Sequence, residues 1–360
     1  MALAAALQLQ AHVVEKDYAL GWFLAGISAH PVIGPRWVFK GGTCLKKCFF
    51  ETYRFSENLD FTLQDAEHLD EAFLANVFDE IGEWVYDACG LQLPPAARKF
   101  EVFTNPRGTQ SAQGRVGYRG PIGRAGDPPR IKLDLAADEV LVLTPVQRPV
   151  HHPYTDVPAD GIYVLSYSFE EVFAEKMRAL AERQRPRDLY DIVHLYRRRD
   201  LQPDRAIVRS TLARKCEFKG IPIPTYAALT NRPERAAIEV EWDQMLAHQL
   251  PICPPFDEFW QELSAVFDWL DERSAAPSRL WPLCRQADSA ARHWTTLGAC
   301  RRWCRRGALK PVHWRPSASR RPTTFACSST TPRKAANTRL QRSSHTPSAV
   351  RVPATCCCSA

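Results

Sequence analysis

Three polar residues on two predicted strands have the types and spacing of a divalent metal site. In RFSENLDFTL (Arg54–Leu63), Asn58 and Asp60 alternate with apolar positions and project from one face of a strand. In IKLDL, Asp134 likewise lies opposite its leucine neighbours. If the two strands are adjacent, these oxygen ligands converge and suit Mg²⁺ or Mn²⁺. The alternative is the ordinary solvent face of two half-exposed strands.

A Gly-Gly turn is the second element that could take part in chemistry. FKGGT places Gly41 and Gly42 between a short strand and a helix that we expect to open near Thr43. Such a turn lets backbone N–H groups approach phosphates at a helix start. The spacing is not that of a P-loop or a dinucleotide fingerprint, so the turn alone is not specific.

Charged residues on two successive predicted helices form the third element. In EKMRALAERQRPRDLYD, Lys176 lies beside an apolar stripe and is expected to lean towards the sheet, with Arg183 on the same face two turns later. Asp188 and Asp191 are three residues apart and share a face of the next helix. The alternative is two charged helices with surface ion pairs.

The elements that must position these residues follow an α+β order. Hydrophobic periodicity predicts an early helix, a strand at 37–39, the 54–63 strand, a helix over 69–89 and strands at about 97–104 and 130–137. The segment 105–129 is rich in glycine and arginine and reads as a loop or hairpin. From Ser166 the pattern is helical: Ser168 and Glu171 form a capping box, and further helices fit 204–215 and 256–270.

The positive charge of the chain is confined to its last part. Residues 276–360 contain 16 Lys/Arg and a single acid, Asp288, which gives +15, whereas residues 1–275 carry −8. Residues 275–360 show no apolar periodicity and are predicted to be disordered. A shifted reading frame at the end of the gene is one hypothesis for this tail, and a basic arm that contacts RNA is the other.

The cysteines and the apolar runs bear on the class of protein. Cys44 and Cys48 share a helical face, but no second pair at zinc-site spacing accompanies them. The longest apolar run, 19–27, is too short to span a bilayer. We therefore expect a reduced, cytoplasmic protein without a membrane partner.

Taken together, the motifs resemble the AbiEii/AbiGii toxin family of nucleotidyltransferases. The resemblance runs from about residue 13 to 270 through VVEKDYALGWFLAGI, VFKGGTCLKK, YRFSENLDFTL, IKLDL, FEEVFAEKMRALAERQRPRDLYDIVHL and PPFDEFWQEL. It implies a polymerase β-like fold: a mixed sheet with helices, followed by a helical domain. The expected domains are a nucleotidyltransferase domain at 1–165, a helical domain at 166–274 and the tail at 275–360.

The resemblance assigns roles on the phosphate side of the site. Gly41, Gly42 and Thr43 would hold the triphosphate of an NTP. Lys176 would neutralise phosphate charge, and Arg183 is a weaker candidate for the same role.

The resemblance also assigns metal and catalytic roles. Asp60 and Asp134 would be metal ligands beside Asn58, and Asp134 would also accept the proton of the attacking hydroxyl. Asp188 and Asp191 would complete a further motif, either orienting Lys176 or acting directly.

Asn58 departs from the family pattern, which reads Ser-Glu-Asp-x-Asp. Asparagine keeps a carbonyl oxygen but loses the charge that hard dications prefer. Glu57 points to the other face of the strand and cannot replace it. We expect an enzyme with weakened activity or one that needs a high metal concentration, or an inactive copy.

The resemblance implies a toxin of a type IV toxin–antitoxin and phage-defence system that transfers a nucleotide from an NTP to RNA, with the 3′ end of tRNA as the expected acceptor. The basic segment 107–130 is expected to contact RNA phosphates or to be a plain solvated hairpin. An antitoxin encoded nearby is expected to act without a stable complex. The alternatives are transfer to a protein side chain and a non-catalytic nucleotide- or RNA-binding remnant.

Overall fold

The computed structural model describes residues 4, 10–50, 53–104, 108–123, 126–231, 234–250 and 252–271 of the 360-residue chain. The predicted tail at 275–360, and the two hypotheses for it, lie outside these residues.

A seven-stranded mixed sheet lies at the centre, in the order β3-β4-β5-β2-β1-β7-β6. Strand β1 pairs in parallel with β7, and β2 with β5; the other neighbours are antiparallel. Strands β2 and β1 pair with each other and each has a parallel neighbour on its other side, so both lie in the interior of the sheet. The strands are β1 (Trp37–Lys40), β2 (Asn58–Leu63), β3 (Arg98–Thr104), β4 (Gln110–Gly117), β5 (Arg130–Ala136), β6 (Val146–Pro149) and β7 (Tyr163–Ser166).

Helices α1 (Ala11–Ala29) and α3 (Glu71–Cys89) cover one face of the sheet. The ring of Phe78 on α3 lies 5.2 Å from Phe100 on β3 and 6.5 Å from Trp37 on β1. Burial of such rings stabilises the packing of this layer. The other face of β1 and β2 carries the polar residues of the predicted site.

The helical part follows β7. Ser168 caps its first helix by accepting a hydrogen bond from the Glu171 N–H at 3.2 Å. The Glu171 carboxylate does not return to Ser168 as a capping box requires; it binds Lys215 at 2.7 Å and the Leu143 N–H at 2.8 Å. That half of the prediction is wrong, because the Glu171 carboxylate instead neutralises the buried Lys215 ammonium, which would be costly to leave unpaired. The helices are α4 (Phe169–Arg183), α5 (Pro186–Arg197), α6 (Arg205–Lys219), α7 (Tyr226–Thr230), α8 (Glu234–Leu246) and α9 (Phe256–Leu270).

Several boundaries differ from the sequence-based expectations. The strand expected at 54–63 begins only at Asn58, because Arg54 turns into the interior to bind Asp191. The glycine-rich segment at 105–129 contains β4, which pairs with both β3 and β5, so the hairpin interpretation holds for 110–117. Strands β6 and β7 and helices α7 and α8 were not predicted, because they are short or lack strong periodicity.

Within the ranges that the structure describes, no helix has both the length and the hydropathy needed to cross a membrane.

Candidate active site

The two predicted metal-binding strands are neighbours, and their carboxylates are register partners. Asp60 on β2 lies directly opposite Asp134 on the parallel strand β5, and Asn58 lies opposite Lys132. Directly paired residues of adjacent strands project from the same face. The sheet therefore brings Asn58, Asp60 and Asp134 together, as the alternation of the sequence predicted.

Burial and charge act in opposite directions on Asp60. Burial raises the pKa of its carboxyl group, and the nearby Asp134 adds to this, whereas Lys40 and Lys176 lower it. Burial and the like charge dominate, so the pKa of Asp60 lies above its usual value. The ionised form of this carboxylate would therefore be stabilised by any cation bound beside it.

The donor set fits a divalent metal whose shell is completed by substrate. No cluster of three or more His, Cys, Asp or Glu side chains suited to a metal occurs among the described residues. Mg²⁺ does not require one, because it commonly uses one or two carboxylates together with water and phosphate oxygens. The paired carboxylates of Asp60 and Asp134, with the Asn58 amide beside them, match that requirement.

The Gly-Gly turn passes directly over the Asp60 carboxylate. Gly41 has φ +82°, and a Cβ at this position would lie 2.2 Å from Asp60 Oδ2. A Cβ on Gly42 would lie 2.4 Å from Arg54 Nη2. Gly41 therefore requires glycine for its backbone conformation and its close approach to Asp60, and a side chain at Gly42 would displace the Arg54 guanidinium.

Thr43 has a structural contact in this arrangement. Its side chain is fully buried and its hydroxyl donates to the backbone carbonyl of Asn58 at 2.5 Å. This bond ties the start of helix α2 (Gly41–Cys44) to the start of β2. The predicted contact of Thr43 with triphosphate stays a prediction.

Helix α2 is short and continues as a π-helical segment, Leu45–Phe49. Asp17 on α1 binds Lys46 and Lys47 of this segment, each at 2.7 Å. The buried ion pairs fix the segment, and with it the Gly-Gly turn, against the covering helix.

The predicted cationic and acidic residues of the helical part meet in one network, which is buried except at Arg183. Lys176 Nζ lies 2.7 Å from Asp191 Oδ2 and 3.2 Å from Asp188 Oδ1, and Arg183 Nε donates to Asp188 Oδ2 at 2.8 Å. Burial alone would lower the pKa of Lys176, but Asp191 and Asp188 outweigh it and raise this pKa. The surface ion-pair interpretation is therefore wrong for Lys176, Asp188 and Asp191, which are buried.

Arg54 joins this network to the strands, and sequence reasoning missed it. Its guanidinium donates to both oxygens of Asp191, at 2.7 and 2.8 Å, and to Gln249 Oε1 at 2.9 Å. The three cations Lys176, Arg183 and Arg54 exceed the two carboxylates by one charge. An arginine four residues before the metal-site strand was the available signal, but nothing local showed its direction.

Lys40 is the second residue that sequence reasoning missed. It is the register partner of Asp60 on β1, and its ammonium binds the Glu139 carboxylate. Glu139 also accepts hydrogen bonds from Thr62 at 2.9 Å and from Tyr167 at 3.2 Å. A lysine directly before the Gly-Gly turn marks this position, but its partner lies 99 residues away.

Comparison with known protein families identifies the family of this chain. The model of a family described as "Nucleotidyl transferase AbiEii toxin, Type IV TA system" matches residues 22–262. The chain belongs to this family. It is therefore a nucleotidyltransferase of the AbiEii toxin type, as the resemblance implied. Membership implies an NTP substrate and a cognate antitoxin.

A solved structure of a nucleotidyltransferase toxin shares the fold. MenT4, a nucleotidyltransferase toxin from Mycobacterium tuberculosis H37Rv, is 21% identical; the match covers 82% of this chain and 98% of that chain, with a TM-score of 0.50. JHP933 from Helicobacter pylori is 14% identical, covering 80% of this chain and 99% of that chain, with a TM-score of 0.46. No curated protein matches the chain. For this AbiEii nucleotidyltransferase, the likeness to MenT4 supports the predicted α+β fold.

Proposed function

We propose that this AbiEii protein transfers a nucleotide from an NTP to the 3′-hydroxyl of an RNA, with the 3′ end of tRNA as the expected acceptor, in a phage-defence setting. The observation that carries the proposal is the pairing of Asp60 with Asp134 directly beneath the Gly41 turn. The pairing supports the proposal because carboxylates of the kind that bind Mg²⁺ lie next to a turn of the kind that binds phosphate.

The reaction is an in-line displacement at the α-phosphorus. The acceptor 3′-oxygen forms a bond to the α-phosphorus, the bond from that phosphorus to the bridging oxygen of the β-phosphate breaks, and pyrophosphate leaves. Asp60, Asp134 and Asn58 would hold a divalent cation, which would supply charge stabilisation for the attacking and leaving oxygens. Asp134 would accept the proton of the attacking hydroxyl, and its side chain, about one-third exposed, is accessible to a substrate.

Cations of the helical part neutralise the charge that develops on the phosphates. Lys176 is held in place by Asp188 and Asp191, which act as positioning residues. Arg183 is about half exposed while its guanidinium rests on Asp188, so it retains free N–H groups for a phosphate. The backbone of Gly41 and Gly42 approaches the triphosphate from the other side.

Incubation with α-labelled and γ-labelled NTPs, total tRNA and Mg²⁺ tests the proposal. We expect label on RNA from the α-labelled NTP only, and its loss in Asp60→Ala. Label on protein would support the alternative acceptor instead. RNA binding without any transfer, in the wild type and at high Mg²⁺, would support a remnant in which Asn58 has disabled the site.

A further inference from the structure

The outer half of the sheet has one open face. On β5 and along most of β3 and β4, the residues that face α3 are buried or half-buried, whereas most alternate residues on the other side are exposed or half-buried. This open face is continuous with Asp60 and Asp134, because directly paired residues share a face. The buried set is Phe100, Ala112, Val116, Ile131, Leu133 and Leu135.

The register aligns three cations in a single row across this face. Lys132 on β5 is the partner of Asn58, Arg115 on β4 is the partner of Lys132, and Lys99 on β3 is the partner of Arg115. Neighbouring strands are about 4.8 Å apart, so the row extends about 14 Å from Asn58 to the sheet edge. We call Lys132, Arg115 and Lys99 the basic row.

The charges of the basic row are available to an external anion. Lys132 Nζ lies 3.1 Å from Asp134 and Lys99 Nζ 2.5 Å from Glu101, but these side chains are about one-third to two-thirds exposed. Exposed pairs of this kind contribute little and exchange readily for a phosphate. Within the described part of the chain, Arg115 has no carboxylate at ion-pair distance.

An aromatic ring stands on the same open face. Phe103 lies on β3 two residues beyond Glu101, four beyond Lys99, and is 46% exposed. Phe103 is about 13 Å along β3 from Lys99, and the row that contains Glu101 and Asp134 lies between the ring and the basic row. An exposed ring on the same face as a row of cations is a combination with which proteins bind single-stranded nucleic acid, through base stacking and phosphate contacts.

We infer that the basic row is the track for the phosphates of a single-stranded RNA segment whose 3′ end lies at Asp60 and Asp134, with Phe103 as a stacking surface. The inference rests on the proposed function and names how its acceptor is held. Phosphate contacts fix the register of the strand but carry no sequence information.

Salt dependence of RNA binding tests the basic row. The probe is a short single-stranded RNA with a 5′ fluorophore and a free 3′-hydroxyl, and anisotropy gives Kd at a series of KCl concentrations. Each lost phosphate contact lowers the slope of log Kd against log [KCl] by about 0.7. We expect this decrease for Arg115→Gln and Lys99→Gln, and restoration of the wild-type slope in Arg115→Lys.

Two controls separate the contributions. Arg209→Gln removes an exposed cation on α6, outside the basic row, and should leave the slope unchanged. Phe103→Ala should weaken binding roughly tenfold without changing the slope, because stacking releases no counterions. Wild-type slopes for both Arg115→Gln and Lys99→Gln, or tighter binding of an RNA duplex than of the single strand, would overturn the inference.

The outcomes also separate this inference from the proposed function. Label transfer to RNA combined with wild-type slopes in the row variants leaves the proposed function standing and removes the basic row. Altered slopes without transfer by the wild-type protein would retain the row as an RNA-binding surface and remove the catalytic proposal.

Discussion

Both oxygens of the buried Asp191 carboxylate accept hydrogen bonds from the guanidinium of Arg54, at 2.7 and 2.8 Å. The pair joins the segment before β2 to helix α5, and so fixes the helical part against the strands that carry the metal-type ligands. Asp191 also binds Lys176, which makes this carboxylate the connection between the two halves of the candidate site.

Arg54→Gln should destabilise the protein by about 3–5 kcal/mol, because it leaves a buried carboxylate without its main partner. Urea denaturation measures the change in the free energy of unfolding. Arg197→Gln is the matched control: its fork onto Glu262 is exposed and should contribute about 1 kcal/mol or less. Equal midpoints for the two variants would contradict the role assigned to Arg54.

Asn58→Asp should increase nucleotide transfer most at low Mg²⁺, because a third carboxylate strengthens binding of a hard cation. Initial rates across a Mg²⁺ titration measure the effect, and the advantage should shrink as Mg²⁺ saturates. A wild-type rate equal to that of the variant at limiting Mg²⁺ would show that Asn58 does not weaken the site.

Gly41→Ala should abolish transfer and destabilise the fold, because the new Cβ meets Asp60 Oδ2 at a backbone φ of +82°. Gly90→Ala is the matched control: Gly90 has φ +77°, with open space around its missing side chain. We expect the control to lose about 1–2 kcal/mol of stability and to keep its activity. Parallel activity assays and thermal unfolding compare the two; inactivity of both variants would show that strain alone explains the loss.

Arg183→Gln should raise the KM for NTP roughly tenfold with a smaller effect on stability, because its half-exposed guanidinium keeps N–H groups that can bind a phosphate beside Asp188. Arg183→Lys keeps the charge but not the fork, and should recover only part of the affinity. Steady-state kinetics at varied NTP measure both. An unchanged KM in Arg183→Gln would restrict Arg183 to its ion pair with Asp188.

Acid should destabilise the protein through His152, whose side chain is buried against Trp22 and Tyr154. Burial, aided by Lys47, lowers the pKa of His152 from 6.5 to about 4. Between these values the unfolded chain binds a proton that the folded chain does not, so stability falls as the pH decreases from 6.5 to 4.

The change in pKa of His152 corresponds to about 3 kcal/mol once the pH is below both values. His152→Phe removes this contribution, so its free energy of unfolding should depend less on pH over the interval than that of the wild type. Urea titrations at pH 4 and pH 7 measure it. The same pH dependence in both proteins would mean that His152 is protonated without loss of structure.

The sequence by itself placed the metal-type residues of the candidate site on one face of the sheet. Alternation along β2 and β5 placed Asn58, Asp60 and Asp134 on one face, since side chains of a strand alternate regardless of its partner. Helical periodicity placed Lys176 towards the interior, because burial of its apolar neighbours fixes the orientation of the helix.

Only the tertiary structure decided which residues meet across long separations. The contact of Arg54 with Asp191, the pairing of Lys40 with Glu139 and the alignment of Lys99, Arg115 and Lys132 all depend on strand register and helix packing. Local sequence does not encode register, because it results from burying whole faces of several strands at once. The physical reason is that these contacts are consequences of the packed core, not of the segments that carry them.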